Sequence, residues 1–569
     1  LDESVDFAGY LVKQRTSASR DVIYHLLQQC IKRKDLIAGR HAYSFMINVG
    51  FDSIPVLLDH LIRLFAACGS QVEANDVFSK MSRPSVYTWN AMISAHANLD
   101  DHAKALSLYH QMWHKKIPPD RYTFLSILKA CICLRDLSQI KLIHSDIGLQ
   151  DLQTDVMIVT TLIDVYFKCG AIDEAHRLFD RLCHNRNIVS WGAMISGYTQ
   201  HGLYADALQL FDKMHLEGFE PNRVIFLCIV KACSGMNTLQ QGMVIHDQII
   251  RKGFLSDVEI GNSLLDMYIK CGIVDKAQKV FEHLLIRDVV SWTTLIAGYV
   301  QHGLGNGALD CFRKMQGEGI FPTGVTYALI LRACGIVGSL EIGEEIAVEV
   351  TKQGFLKKDV VVGTALVEMY ILCGALEKAQ QVFDELPVRD VISWNSLIAG
   401  YTQHGQCHEA LNCFERMQVE GISPDVVTFI CILKGCGSIG AINKGNQIEG
   451  QAVNSGFLEK NIELGNTLVD MYIKCGATAK AREILYEIPI RNVVSWNVLI
   501  GGYALQRQVQ EALDCYKRMR IEGILSDIVT MIGILKACGR LGAIGKGKRI
   551  HQEIISRGLL EKDIVLGNA

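Results

Sequence analysis

The side chains with the greatest chemical range in this 569-residue chain are its 19 cysteines and 18 histidines. Thiolates and imidazoles bind metals, attack electrophiles and move protons. Their spacing points away from all three uses. Cys131, Cys233, Cys334, Cys436 and Cys538 recur at steps of 101 or 102 residues, and so do Cys68, Cys169, Cys271, Cys373 and Cys475. No C-x-x-C pair occurs, so no local zinc-type ligand set forms, and the cysteines read as small packing residues. His144, His246 and His551 share one register of the same period. A catalytic group is needed once, so a histidine that returns with the period reads as packing or surface. Neither a metal nor another cofactor is expected, and no enzyme activity.

The elements that carry these residues must themselves repeat. Trp89, Trp191, Trp292, Trp394 and Trp496 lie 102, 101, 102 and 102 residues apart and open similar phrases such as SWGAMISGY, SWTTLIAGY and SWNSLIAGY. Each long period divides into segments of about 35, 35 and 31 residues, each reading as two amphipathic helices around a Gly-containing turn. In 391–425, Leu397, Ile398 and Tyr401 are helically spaced, His404-Gly405 interrupts, and Ala410, Leu411, Phe414 and Met417 resume. A pair of such short helices cannot bury its apolar faces alone, so neighbours must stack. The expected fold is all-α, a right-handed superhelical solenoid of helix-turn-helix repeats with a long concave groove.

Composition agrees with a folded repeat protein. The chain is 49% hydrophobic and 21% charged with 9 prolines, unlike a disordered one, and it exceeds the about 250–300 residues that one compact core serves. No apolar run reaches the length of a membrane span. A formal charge of −3 argues against indiscriminate nucleic-acid binding, which rests on cations displacing counterions from phosphates. The parse gives a flank at 1–19 and sixteen helix pairs at 20–54, 55–85, 86–120, 121–155, 156–187, 188–222, 223–257, 258–288, 289–323, 324–359, 360–390, 391–425, 426–461, 462–492, 493–527 and 528–563. Residues 564–569 begin a further repeat. Leu1 and this break inside a pattern make a fragment the expectation.

The phrase VVSWNxLIxGYxQxGxxxEALxxFxxMxxEGIxPD, clearest at 391–425 and 493–527, resembles the pentatricopeptide repeat family. The alternation of standard, long (TFICILKGCGSIGAINKGNQI from Thr428) and short (LGNTLVDMYIKCG from Leu464) segments resembles its plant subclass built from those three variants. The tetratricopeptide phrase W-x-x-L-G is not matched. The resemblance implies binding of single-stranded RNA, one base per repeat, read by the fifth residue and the last residue of each repeat. Carried over, the reading pairs are Asn90 with Asp120, Thr160 with Asn187, Asn262 with Asp288, Thr364 with Asp390, Asn395 with Asp425, Asn466 with Asn492, and Asn497 with Asp527. Side chains of these types offer the donors and acceptors a base edge requires.

By the family's code, Asn with Asp favours uracil, Thr with Asn adenine, Thr with Asp guanine, and Asn with Asn a pyrimidine. Residues 86–563 then spell U-n-A-n-n-U-n-n-G-U-n-Y-U-n. Gly192 with Asn222, Thr293 with Thr323 and Asp59 with Ser85 match no confident pair. The long repeats hold Tyr24, Leu125, Leu227, Ala328, Ile430 and Ile532 at the fifth position and are expected to set spacing. Val189, Val290, Val361, Ile392 and Val494, at the second position, fit either sandwiching of bases or packing at the helix start. The tryptophans read as packing rather than as base platforms. Lys168, Lys270 and Lys474 fit phosphate contact or complementing of the helix dipole.

The resemblance further implies an organellar protein, mitochondrial or chloroplastic, serving as the recognition part of a C-to-U RNA editing factor. Other RNA-processing proteins would be its partners. Editing members of the family carry a zinc-dependent deaminase with H-x-E followed by P-C-x-x-C. His551-Gln-Glu553 and His215-Leu-Glu217 lack that continuation, so a deaminase, where one exists, lies beyond Ala569. The alternatives are an RNA-stabilising or splicing factor that acts by occupancy, or a protein-binding scaffold.

Overall fold

The computed structural model describes residues 20–81, 83–99, 101–489 and 491–556. The flank 1–19 and the partial repeat 564–569 lie outside them. Among the described residues every regular element is helical, and the chain divides between Leu285 and Ile286 into two compact units. Among the described residues each unit holds eight helix pairs, the first unit opening its pairs at residues 20, 55, 86, 121, 156, 188, 223 and 258, the second at 289, 324, 360, 391, 426, 462, 493 and 528. Within each unit the first helix of a pair packs against its own second helix and against the first helices of its neighbours, as Val86–Asn98 does against His102–His114, Pro55–Ala67 and Arg121–Leu134. First helices therefore form one continuous layer of each unit, and second helices the other.

The three repeat lengths have a physical basis in the second layer. First helices run 13 residues in short and standard repeats and 14 in long ones, whereas second helices run 10 residues in the short repeats, as in Leu376–Glu385, and 13 in the standard ones, as in Cys407–Val419. A short repeat thus loses about one turn from its second helix. The layer that carries the fifth residue keeps its length. Extra turns at Cys183–Asn185, Phe254–Ser256 and Phe355–Lys358 occupy three of the junctions, irregularities that the helical periodicity did not anticipate.

Most pairs turn on a glycine in the left-handed region, with Lys34, Arg135, Asn237 and Arg507 taking that place in four of them. Val391–Gln403 ends where Gly405 adopts φ 76°, letting Gln406 N donate to Tyr401 O at 2.9 Å and the chain reverse into the second helix. Packing then centres on the tryptophans. Trp394 is fully buried, edge-on to Phe383 of the preceding repeat at 4.5 Å, with the Arg416 guanidinium 5.5 Å from its ring centre. Trp191 repeats this with Phe179 and Arg186, and Trp89 with Phe78 and Lys115. Full burial excludes these rings as platforms for bases. Arg186, Arg389 and Arg491, just before the close of short repeats, reach Glu217, Glu420 and Glu522 of the following repeat at 2.9, 3.0 and 3.0 Å.

The cysteines are free, and among the described residues no group of metal-ligating side chains forms. Burial pushes the Cys131 and Cys334 thiols up to about 12, and those of Cys233 and Cys436 up to about 11, so they remain protonated and inert at neutral pH. His144 and His246 are partly buried against the hydroxyls of Tyr166 and Tyr268, each at 2.9 Å, while His551 is exposed. Burial lowers both partly buried imidazoles below their ordinary 6.5.

Two neighbouring glycines give a sharp test of the packing. A Cβ on Gly502 would meet three atoms of Ile473 at 2.5–2.8 Å, whereas one on Gly501 would meet nothing within 4 Å. Gly502→Ala is expected to cost about 1–3 kcal/mol through overpacking, and Gly501→Ala to stabilise by about 0.4–1 kcal/mol by restricting the unfolded chain, both read from urea unfolding. A second test follows from the histidines. Their folded pKa values lie below the unfolded one, so the stability they contribute is complete above pH 6.5 and is lost as the pH falls through the folded values. Replacing both by Gln, which keeps a polar partner for tyrosine, is expected to flatten the decline in unfolding free energy between pH 6.5 and 5.

Candidate nucleic-acid interface

The residue that closes a repeat is the N-cap of the next helix. Asp120, Asp425 and Asp527 have extended backbones, and each accepts from the backbone N–H three residues on, at 2.9, 2.8 and 2.8 Å. The helix start exposes unpaired N–H groups and a positive dipole end, which favour a short polar or anionic side chain there. Asn187, Asp288, Asp390 and Asn492 cap their helices in the same way. Capping alone therefore selects Asp, Asn, Ser or Thr at this register, a demand that the sequence reading did not separate from RNA contact.

At three junctions the cap also holds the fifth residue of its own repeat. Asn90, Asn395 and Asn497 donate from Nδ2 to Oδ1 of Asp120, Asp425 and Asp527 at 2.9, 3.0 and 2.9 Å. The third residue of the following repeat completes each set, with Thr123, Thr428 and Thr530 donating from Oγ1 to the asparagine Oδ1 at 2.5, 2.6 and 2.6 Å. In all three sets the aspartate Oδ1 takes every hydrogen bond and Oδ2 takes none from the described residues. One N–H of each amide is likewise unspent. Burial by itself would raise the Asp425 and Asp527 carboxyls, but the bonds from the threonine N–H, the asparagine amide and the threonine hydroxyl outweigh it and hold both below 3.8.

The other pairs are arranged differently. No hydrogen bond joins Thr160 to Asn187, Thr364 to Asp390 or Asn466 to Asn492; each last residue is committed to its cap, with bonds of 2.9, 2.8 and 3.0 Å to Ser190, Ser393 and Ser495 N. The Thr160 hydroxyl and the Asn466 amide oxygen are buried with no partner among the described residues. Asn262 lies on the helix Val258–Lys270 of the first unit, and Asp288 caps Val289–Gln301 in the second. Asp59, left without an assignment from sequence, accepts from Ser85 Oγ at 2.8 Å and from the Thr88 hydroxyl. Thr293 and Thr323 each meet the Thr326 hydroxyl at 3.0 Å.

Beside the fifth residues lies an exposed apolar row. Val189, Val290, Val361, Ile392 and Val494 are between 49% and 65% exposed, which removes them from the helix-start core. Tyr87 and Tyr122 occupy the same register at 70% and 67% exposure and flank Asn90 in an open cleft of about 830 Å³. The sequence reading missed both, although running the second-position register through every repeat finds them. One turn beyond the fifth position, on the same helix face, the long repeats carry the exposed cations Lys129, Lys231, Arg332, Lys434 and Lys536. Arg332 is paired to Glu368 at 3.0 Å. Lys168, Lys270 and Lys474 are instead each bonded to the aspartate one turn back, at 2.9, 2.8 and 2.8 Å.

The arrangement offers hydrogen-bonding edges between apolar side chains, with cations a turn away, a combination suited to an unpaired base on a phosphate backbone. Asp425→Ala is expected to cost about 1–2 kcal/mol of stability through loss of the cap, and Asp425→Asn much less, because its amide oxygen still caps. Unfolding titrations of both variants check this.

The chain is similar to known proteins in sequence and in fold. The family model described as "PPR repeat family" matches residues 84–133, 186–235, 287–335, 389–438 and 491–540, and the model "PPR repeat" matches 158–186 and 262–289. A pentatricopeptide repeat-containing protein of Arabidopsis thaliana is 33% identical over 540 residues, covering 94% of this chain and 82% of that protein. A second, named chloroplastic, is 31% identical over 549 residues, covering 96% of this chain and 63% of its own length, and a third, named mitochondrial, is 32% identical over 533 residues, covering 94% and 76%. This chain therefore spans less than two thirds of one of these relatives. Among solved structures, the maize pentatricopeptide repeat protein PPR10 has the same helical-repeat fold with a TM-score of 0.65 at 18% identity, over 97% of this chain and 91% of that one. The same maize protein in complex with an 18-nucleotide psaJ RNA element gives 0.59, over 96% and 86%.

Proposed function

From its sequence and fold this chain belongs to the pentatricopeptide repeat family, and we propose that it binds single-stranded RNA in a sequence-specific way, reading one base at each short or standard repeat that holds a reading pair. The observation that carries this reading is the recurrence of one geometry at Asn90, Asn395 and Asn497. Each presents an amide with an unspent N–H beside a carboxylate with an unspent oxygen, between exposed second-position side chains. A base entering there meets donors and acceptors of fixed position and apolar faces above and below. The solved maize relative bound to an RNA element supports the same reading.

The three repeat types make the chain a member of the standard, long and short subclass, and the gapped string U-n-A-n-n-U-n-n-G-U-n-Y-U-n is its target. The long repeats contribute through the phosphates, since apolar side chains fill their fifth positions while Lys129, Lys231, Lys434 and Lys536 stand one turn away. This local row offsets a net charge of −3 and makes affinity salt-dependent. The RNA is organellar, in keeping with relatives named chloroplastic and mitochondrial. The bound protein marks a site for C-to-U editing, with the chemistry supplied by residues or partners outside this chain. Occupancy alone, protecting or remodelling the transcript, is the alternative. A scaffold for protein helices fits less well, because buried amide and hydroxyl groups such as Asn466 and Thr160 stand without partners along the layer where a peptide would dock.

A swap at one repeat tests base reading. The 569-residue chain and its Asn395→Thr variant are titrated with the 14-nucleotide string and with a copy carrying G for U at the tenth position, opposite 391–425. The wild type is expected to lose affinity for the G copy by about tenfold, in line with ~1–3 kcal/mol per mismatched base, and the variant to prefer it. Four equal affinities would sink base reading at this repeat.

A further inference from the structure

The threonine at the third position of a long repeat has no part in the reading pair, yet it closes the hydrogen-bonded set around it. We propose that Thr123, Thr428 and Thr530 are positioning residues, each fixing the amide of the preceding repeat's asparagine so that it presents one pattern to the base and separates uracil from cytosine. The inference rests on the proposal that these asparagines read bases.

The geometry of the hydroxyl carries the argument. Thr428 Oγ1 accepts from Asp425 N at 3.1 Å, so its single proton remains to be donated. Two oxygens compete for it, Asn395 Oδ1 at 2.6 Å and Asp425 Oδ1 at 2.9 Å. The aspartate oxygen already takes the Asn395 amide and the Thr428 backbone N–H, so the shorter contact takes the proton. The same ordering holds at the other junctions, 2.5 against 3.0 Å for Thr123 and 2.6 against 2.8 Å for Thr530. The amide is therefore held at both ends, its nitrogen by a carboxylate that only accepts and its oxygen by a hydroxyl that has only that proton to give.

That restraint bears on the choice between pyrimidines. At the positions where they differ, uracil presents a carbonyl acceptor next to an N–H donor, and cytosine an amino donor next to a nitrogen acceptor. An amide free to turn by 180° satisfies either, donating and accepting in the order each base needs. An amide pinned at both ends offers one order. Asn466 is the internal contrast: no threonine hydroxyl reaches it, its oxygen has no protein partner, and the serine in that register, Ser495, bonds to Asn492 instead.

The standard repeat with no side chain at its fifth position bears on the pairing of the two residues. Gly192 stands at the fifth position of 188–222, and there the third residue of the following repeat is Ile225, whose side chain would contact a Cβ at Gly192 at 3.7 Å. Where the fifth position offers no polar side chain, the hydroxyl is absent too. Asn222 still caps that helix through Ile225 N at 3.0 Å, so the helix start does not need a hydroxyl. At 289–323, where Thr293 replaces asparagine, Thr326 keeps the hydroxyl and bonds to it.

The test uses the 569-residue chain with Thr428→Val, which keeps the shape and removes the hydroxyl, and Thr428→Ser, which restores it. Each is titrated with four versions of the 14-nucleotide string that differ only at the tenth base, and thermal unfolding of each variant is recorded in parallel. For Thr428→Val the ratio of uracil to cytosine affinity is expected to fall by about three- to tenfold, the range one hydrogen bond supports. Discrimination against the purines should change less, and Thr428→Ser should recover the wild-type ratio. A Thr428→Val protein that binds all four RNAs more weakly by a common factor, or that keeps the wild-type ratio, overturns the positioning role and leaves base reading intact. A wild type with no preference at the tenth base overturns base reading, and the positioning role with it. Should Thr428→Val fail to fold, Thr530→Val read against the thirteenth base decides the question by the same ratios.

Discussion

The structure depends on what happens where one repeat ends and the next begins. A helix cannot satisfy its own first N–H groups, and a protein made of stacked helix pairs must solve that problem at every junction while leaving the first-helix layer unbroken. Beyond the first junction, where Ile54 precedes Pro55, the chain solves it with a short polar side chain that closes the repeat and folds over the start of the next helix: Asp120, Asn187, Asp390, Asp425, Asn492 and Asp527 all do this. The cap fixes a carboxylate or amide in space to within the tolerance of a hydrogen bond. A group fixed for structural reasons is then available at no further ordering cost to whatever lies beside it.

What lies beside it is the fifth residue of the same repeat, and the repeat types differ in how they use the neighbourhood. After three of the standard repeats the next helix brings a threonine whose hydroxyl reaches back to an asparagine; after most short repeats it brings serine, whose hydroxyl stays on the cap, as Ser393 does on Asp390 O at 2.9 Å and Ser190 on Asn187 O at 2.8 Å. Three standard repeats therefore carry restrained amides, whereas the Thr160 hydroxyl and the Asn466 amide oxygen of two short repeats are buried without a partner among the described residues. The 55–85 junction breaks this rule, since Thr88 follows a short repeat and closes on Asp59. Long repeats place apolar groups at the fifth position and a cation one turn further on. A division of labour among the three types follows from side-chain length and hydrogen-bonding valence, on a first-helix layer whose geometry barely changes.

The second layer absorbs the variation. Removing about one turn from the second helix of each short repeat shortens the repeat without disturbing the register of the first helices. Buried tryptophans seat standard repeats on an aromatic ring of the repeat before, at 4.8 Å for Trp191 on Phe179, 4.5 Å for Trp394 on Phe383 and 6.3 Å for Trp496 on Tyr486. Arginine–glutamate pairs between the same neighbours are partly exposed, and each adds little to stability on its own. Of the cysteines, numerous enough to suggest chemistry, Cys131, Cys233, Cys334, Cys436 and Cys538 fill one buried register, where burial raises the thiol pKa.

Much of this was legible in the sequence. The period of the tryptophans, the switch from helix to turn at His404-Gly405, and the phrases around Asn395 and Asn497 give the helix pairs and the family, because helical periodicity and glycine turns are local consequences of residue type. Repetition also assigned the histidines and cysteines to structure, since a residue that returns with the period serves the period. The sequence did not reveal that the last residue of a repeat is a cap, that Lys168, Lys270 and Lys474 are held by aspartates, or that the second-position residues from Val189 to Val494 are exposed. Nor did it bring Thr428 to Asn395, 33 residues away. Such facts depend on how one helix is laid against the next, and a distance between side chains on different helices exists only once the layers have packed.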